Sequence, residues 1–229
     1  VAEGANIAES DQGYDEAISV AGALGDSANL GIFIENSANM LRRADRHEEA
    51  LERYQRASGI YAATDRPADE ATAERGVARS LQSLKRDAEA IPHFEKSLEL
   101  FRQEQDTTGL RSVLSDLGKL KRRASDFGDA AKYLDEAVAL GREAGDIDSL
   151  GADLTELGMA RNGLGDHAAA LEAFRAAVDV DIQRSDAAGE AYDRRWVGES
   201  LSQLGRHDEA LAELQHALEL ELGAAVFLA

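Results

Sequence analysis

Cysteine is absent from all 229 residues, which excludes disulfide bracing, zinc ribbons and thiol catalysis. Proline occurs only twice and aromatics make up 5%, a composition poor for a β-sandwich and suited to helices. No run approaches the ~18 consecutive apolar residues that a membrane span requires. Val1–Ser10 has neither the basic region nor the apolar stretch of a signal peptide, so a cytoplasmic location is expected. Basic residues are scarce: 25 Lys plus Arg against 44 Asp plus Glu give a net charge of −19. That balance argues against broad contact with a nucleic-acid backbone, and no nucleic acid or membrane is expected as a partner. The motifs G-x-x-x-x-G-K-[ST], H-E-x-x-H and G-x-S-x-G are all missing, so neither an enzyme nor a cofactor is expected. What is present, 44% hydrophobic and 30% charged residues, suffices for a packed core. Arg outnumbers Lys by 20 to 5 beside abundant Ala, a hint of a GC-rich, bacterial source.

The dominant feature is a repeat. Ala50, Ala90, Ala130, Ala170 and Ala210 are spaced by 40 residues without insertion or deletion. Four residues on stand Tyr54, Phe94, Leu134, Phe174 and Leu214, and seven on Ala57, Ser97, Ala137, Ala177 and Ala217. Ten on come Ile60, Leu100, Leu140, Val180 and Leu220. These offsets lie on one face of a helix, here termed helix B. A second stripe, helix A, precedes each: Leu114-x-x-Leu117-Gly118, Leu154-x-x-Leu157-Gly158 and Arg194-x-x-Val197-Gly198, with looser versions at Ile34 and Ala38 and at Val77 and Ala78. Turn residues such as Asp45-Arg46, Gly165-Asp166 and Gly205-Arg206 separate the stripes, where Gly ends one helix and Asp caps the next.

Leu-x-x-Leu-Gly, followed twelve residues after the Gly by Ala-x-x-x-Phe, resembles the tetratricopeptide repeat, and the resemblance covers essentially the whole chain. It implies an all-α fold, a right-handed α-solenoid of antiparallel helix pairs. The period of 40 exceeds the family's usual 34, and Ala62, Arg102, Arg142, Ile182 and Leu222 fill the slot that commonly holds a closing proline. Helix B can therefore run on for another turn. The long type resembles the repeats of kinesin light chains and of bacterial signalling proteins.

The expected organisation is a partial repeat at 1–26, repeats at 27–65, 66–105, 106–145, 146–185 and 186–222, and an apolar tail at 223–229. Tyr14, Ala17 and Val20 fall 40 before Tyr54, Ala57 and Ile60, so 10–24 reads as a lone helix B. An unpartnered first helix and an apolar end suggest a segment of a larger protein. The alternative is a homodimer through the terminal helices. The tail Ala224–Ala229 is also apolar enough to fold back into the chain's own groove.

Few residues suggest chemistry. His47, His167 and His207 share one turn slot and sit a repeat apart, so they form a ridge and do not converge on a metal. His93 and His216 have carboxylates within a turn but no second histidine, and no metal site is expected. Glu48-Glu49 and Asp208-Glu209 open helix B, where they favour the helix dipole. Trp196 occupies a slot that holds Asn36, Gly76, Asp116 and Glu156 elsewhere. Two readings stay open for it: packing against a neighbouring helix, or a surface anchor for a ligand.

In the tetratricopeptide family helix A lines a peptide-binding groove. By that resemblance the groove slots lie 15, 11, 8 and 7 residues before the anchor Ala. They include Asn39, Arg42, Arg43, Arg75, Arg79, Lys119, Arg122, Arg123, Asn162 and Arg195, with Trp196 alongside. Eight of the 20 slots are basic and two acidic, whereas an even spread would give about two and four. A basic strip on an acidic body fits an acidic or carboxylate-ended peptide, because guanidinium forks match carboxylates. The competing reading pairs these cations with the chain's own Glu and Asp. Two functions are expected: a protein- or peptide-binding scaffold, or a sensory and regulatory array of a larger bacterial signalling or transcription-regulatory protein.

Overall fold

A computed structural model describes residues 2–226, with side chains from 10 to 223. Among the described residues there is no strand, and eleven helices follow one another. They are α1 (Ala2–Leu24), α2 (Ser27–Arg43), α3 (His47–Ala63), α4 (Pro67–Ser83), α5 (Asp87–Glu104) and α6 (Thr107–Arg123). Then come α7 (Phe127–Ala144), α8 (Ile147–Gly163), α9 (His167–Arg184), α10 (Ala187–Gln203) and α11 (His207–Val226). The even-numbered helices are the helices A of the sequence pattern, and the odd-numbered ones the helices B. The chain parts into two compact units, Val1–Val113 and Leu114–Ala229, the division falling within α6. In the first unit α1 to α4 pack each on the next, as do α4 and α5; in the second, each of α7 to α11 packs on its neighbour.

One device closes the helices. Gly25, Asp45, Asp65, Lys85, Gln105, Ser125, Gly145, Gly165, Ser185 and Gly205 recur every 20 residues, with φ between 55° and 78°. The next residue's N–H then reaches back to a carbonyl of the last turn: Arg46 to Leu41 at 3.0 Å, Asp166 to Arg161 at 3.0 Å, Arg206 to Leu201 at 2.9 Å. This is a Schellman closure, which satisfies carbonyls that the helix end would leave unbonded.

At every described turn but that of Asp126, which makes no side-chain cap bond, the next residue also starts the following helix, by one of two means. Asp26, Asp106, Asp146, Asp166 and Asp186 accept the backbone N–H three residues on, at 2.9–3.4 Å. Where arginine stands instead, it grips an acid three residues on: Arg46 with Glu49, Arg66 with Asp69, Arg86 with Glu89 and Arg206 with Glu209. The sequence pattern assigns capping to aspartate alone; arginine serves at four of the turns. Its partner acids sit in the first helical turn, where the dipole favours negative charge.

The anchors pack as expected in most repeats. Ala50, Ala90, Ala130 and Ala170 are fully buried, as are Phe94, Leu134 and Phe174. The position ten residues on is different: Ile60, Leu100, Leu140 and Leu220 are only half-buried, and Val180 alone is covered. Instead Tyr61 and Phe101, one residue further, enter the core together with Ser58, Leu98, Val138 and Val178. The buried face is thus wider than one stripe, because helix B packs against its own helix A on one side and the following helix A on the other. In the second unit Gly158 and Gly118 let it approach closely: a Cβ built on them would stand 2.5 Å from Phe174 and from Leu134.

The turn geometry makes a direct prediction. A Cβ at Gly165 would meet no atom within 4 Å, so its φ of 78° is what opposes a side chain there. Gly165→Val should lower unfolding free energy by about 1–2 kcal/mol. Lys85→Gly relieves the same strain and should raise it by less than about 1 kcal/mol, since glycine also loosens the unfolded chain. Chemical denaturation of both variants checks the opposite signs.

Candidate functional site

In the first unit, α2 and α4 touch directly and carry Asn39, Arg42, Arg43, Arg75 and Arg79. Tyr54, delivered from α3 and 2% exposed, reaches two of them. Its hydroxyl donates to Asn39 Oδ1 at 2.7 Å, and the charge of Arg42 bears on it. Burial pushes the Tyr54 phenol above its ordinary pKa, so it remains a neutral partner for Arg42. With its oxygen engaged, Asn39 keeps its amide N–H groups as donors. Arg43 is exposed and makes no ion pair among the described residues. Arg75 and Arg79 are half-buried, each engaged in further polar or electrostatic contacts, and the charge of Arg79 is felt at Tyr54. One acid shares this face: Glu35 accepts from the Tyr61 hydroxyl at 2.8 Å, and burial raises its pKa.

In the second unit the cations have neighbours that the slot count omitted. Lys119 lies 3.7 Å from Asp153, and Arg122 Nε donates to Glu156. Both acids come from α8, the next helix A. Ser115 also donates to Asp153, and Asn162 donates to Ser200 at 3.4 Å while accepting from His167. Arg123 is exposed, and it too makes no ion pair among the described residues. Arg195 is exposed, 3.8 Å from Glu221.

Trp196 packs against a neighbouring helix and also borders a cleft. One ring face stacks on buried Phe174, with centroids 5.6 Å apart, and Tyr192 meets it edge-on at 6.4 Å. The rings of Trp196 and Tyr192 line a cleft of about 490 Å³ with Arg195, Glu199 and Leu214. A neighbouring cleft of about 430 Å³ adds Arg122, Phe127 and Met159. Tyr192, exposed and one turn before Trp196, was missed by the slot pattern; the i, i+4 aromatic spacing was the available signal.

His93 finds its carboxylate on another helix. His93 Nδ1 pairs at 2.6 Å with Glu74 from α4, and Lys96 and Ser58 bond the same carboxylate. Burial raises the pKa of Glu74, but these three bonds outweigh it and hold the carboxyl below its usual range. Among the described residues no three His, Asp or Glu side chains are grouped to hold a metal.

Close to the aromatic cleft in sequence, and buried, lies a carboxylate pair. Asp193 of α10 and Asp181 of α9 are 2% and 4% exposed and act on each other directly, the charge of Asp181 opposing ionisation of Asp193. Thr155 of α8 donates to Asp193 at 2.9 Å, while Asp186 and Glu190 add negative charge nearby. Arg184, 3.7 Å from Asp181, is the compensating cation. Burial pushes Asp193 up to about 7, and Asp181 is raised as well. An acid whose folded pKa is raised keeps its proton while the unfolded chain loses it, so stability falls as pH rises from about 4 to 7. Asp193→Asn removes the charge permanently. It should raise the melting temperature at pH 8 by roughly 3–6 °C and change little at pH 4.5. Thermal melts across that range check the sign.

Two family profiles described as tetratricopeptide repeat match the chain, one at residues 30–103 and 69–143, the other at 154–181 and 196–222. No curated protein matches it. Solved structures share the fold at low identity. BtubC (BKLC) from P. vanneervenii is 16% identical with a TM-score of 0.84, covering 98% of this chain and 93% of that one. Nearly identical TPR-like repeats from Podospora anserina, assigned to a putative kinesin light chain, are 16% identical at 0.70, covering 83% and 94%. MamA (41–end) from Desulfovibrio magneticus RS-1 is 20% identical at 0.66, covering 84% and 96%. With repeat matches along most of its length and helix pairs in both units, this chain belongs to the tetratricopeptide repeat family, an all-α solenoid fold.

Proposed function

We propose that this chain is a non-catalytic protein-interaction scaffold whose helix-A faces bind an acidic or carboxylate-bearing peptide segment. The observation that carries this reading is the unneutralised end of α2. Arg42 faces a neutral phenol and, like adjacent exposed Arg43, makes no ion pair among the described residues. On a chain of net charge −19, two such guanidinium groups beside Arg75 and Arg79 mark the place where a carboxylate gains most. The Asn39 amide, its oxygen already held by Tyr54, can donate to a peptide carbonyl. In the second unit Lys119 and Arg122 are offset by Asp153 and Glu156, and the aromatic cleft at Trp196 suits an apolar side chain. The α2–α4 face is therefore the centre for charge, and the Trp196 cleft the centre for apolar contact. Among the described residues no helix is long and apolar enough to cross a membrane.

A fluorescein-labelled Gly-Ser peptide ending in Glu-Glu with a free carboxylate, titrated against the chain, tests this. Binding should weaken with salt, as exposed charge pairs do. Arg42→Glu with Arg43→Glu should reduce affinity by roughly tenfold or more. Arg206→Glu, at a distant turn, should leave it within about twofold. Equal binding of an amidated Gln-Gln peptide, or no loss in the double variant, overturns the assignment.

A further inference from the structure

Three aromatic rings and a methionine meet at one cleft of the second unit. Phe127 of α7, Met159 of α8, and Tyr192 and Trp196 of α10 line a space of about 430 Å³, with Arg122 and Glu156 beside them. Phe127 is seated across Gly163, where a Cβ would stand 2.5 Å from its ring. Trp196 rests one face on Phe174, and Tyr192 is inclined to it by 72°, so two ring walls meet at a steep angle. The opening does not depend on any helix packed after α11. On α8 the slots of Tyr192 and Trp196 hold Ala152, which is exposed, and Glu156, which is half-buried, although α9 and α10 pack after it.

The charges decide what fits. Arg122 donates to Glu156, so the lining is neutral as a whole. Around it the unit is acidic: residues 114–229 contain 12 Lys and Arg against 23 Asp and Glu, a net charge of −11. That field favours a cation over an anion. Ring faces attract a cation through their quadrupole, tryptophan most strongly. A primary ammonium has three N–H donors to satisfy as it leaves water, and the one lining carboxylate is already engaged by Arg122. A quaternary ammonium has no N–H at all. Its methyl groups bury against the rings and Met159 while its charge meets the π systems. An uncharged apolar group would gain the burial without the attraction.

We propose that this cleft binds a trimethylammonium group, with Phe127, Tyr192 and Trp196 supplying the ring walls and Glu156 neutralising Arg122. Two sources carry that chemistry: a choline-type small molecule, and a trimethylated lysine on a partner protein. Only the second rests on the reading of this chain as an interaction scaffold. The cleft shares no residue with the α2–α4 face, so the carboxylate-peptide titration and the one below fail independently.

Trp196 is the chain's only tryptophan, so indole fluorescence reports on this cleft. Choline is titrated at constant ionic strength beside neohexyl alcohol, its uncharged isostere with carbon in place of nitrogen. A Gly-Ser peptide with one trimethyl-lysine is titrated beside the same peptide with unmodified lysine. Choline should change the emission saturably and bind roughly tenfold more tightly than the alcohol. The trimethyl-lysine peptide should bind roughly threefold or more above the unmodified one. A peptide affinity about tenfold or more above that of choline assigns the ligand to a modified protein, and a smaller ratio assigns it to the small molecule. Tyr192 is exposed, so Tyr192→Ala should leave the melting temperature unchanged. It should weaken choline binding by roughly threefold or more, and Tyr192→Phe should restore it. Glu156→Gln, which unmasks Arg122, should weaken binding by a similar factor. Four results overturn the proposal: no saturable change with choline or the modified peptide; equal binding of the alcohol, which means a general apolar cleft; equal binding of the unmodified peptide, which means general attraction to an acidic body; or choline binding unaltered in Tyr192→Ala.

Discussion

A single residue in the left-handed conformation stops each helix and, by the bond its successor makes back to the last turn, sets the direction in which the next one leaves. The described turns repeat that geometry at 20-residue intervals, and every packing contact depends on it. A shift of one residue at Gly165 would rotate α9 by about 100° and carry Phe174 out of its contact with Gly158. Only four of these positions are glycine. The other six accept a local cost because Schellman bonds and well-buried helices on both sides over-determine the turn.

With turn and helix length fixed, helix B packs between two helices A and keeps an outer face for solvent, as at Glu52, Gln55, Arg56 and Gly59 of α3, whereas a helix A such as α4 is covered on most of its surface. Arg42, Arg75 and Arg79 stand on the half-buried remainder of α2 and α4, and Tyr54 reaches through from α3 to hold Asn39. The same arrangement lets an acid on one helix A neutralise a cation on the preceding one, as Asp153 and Glu156 do in the second unit. Basic slots counted helix by helix therefore overstate the charge available to a ligand wherever the next helix A is acidic.

Polar groups buried between helices follow a related logic. Glu74 is satisfied by His93, Lys96 and Ser58, and its pKa is lowered. Asp193 has Thr155 and a second carboxylate for company, and its pKa is raised. Both are acids within a helix A, and what differs is the side chain that the adjacent helix B supplies: Lys96 and His93 in one case, Asp181 in the other. Burial alone penalises both charges, and the partner decides the sign.

The sequence by itself determined the helices, their pairing and most of the core, because a strict 40-residue period carries the same apolar face into the same place five times. It also brought Trp196 and the helix-A arginines to notice, since their slots are local to one helix. Only the tertiary structure decided which cations are neutralised, that His93 answers to Glu74, that Asp181 and Asp193 are buried where each bears on the other, and that Tyr61 and Phe101 enter the core where Ile60 and Leu100 were expected. The polar pairings join residues on different helices, 19 positions apart for His93 and Glu74 and 38 for Thr155 and Asp193. Periodicity fixes the face a side chain occupies along its own helix; the partner it meets depends on the rotation and offset of a neighbouring helix, which no spacing within one helix encodes.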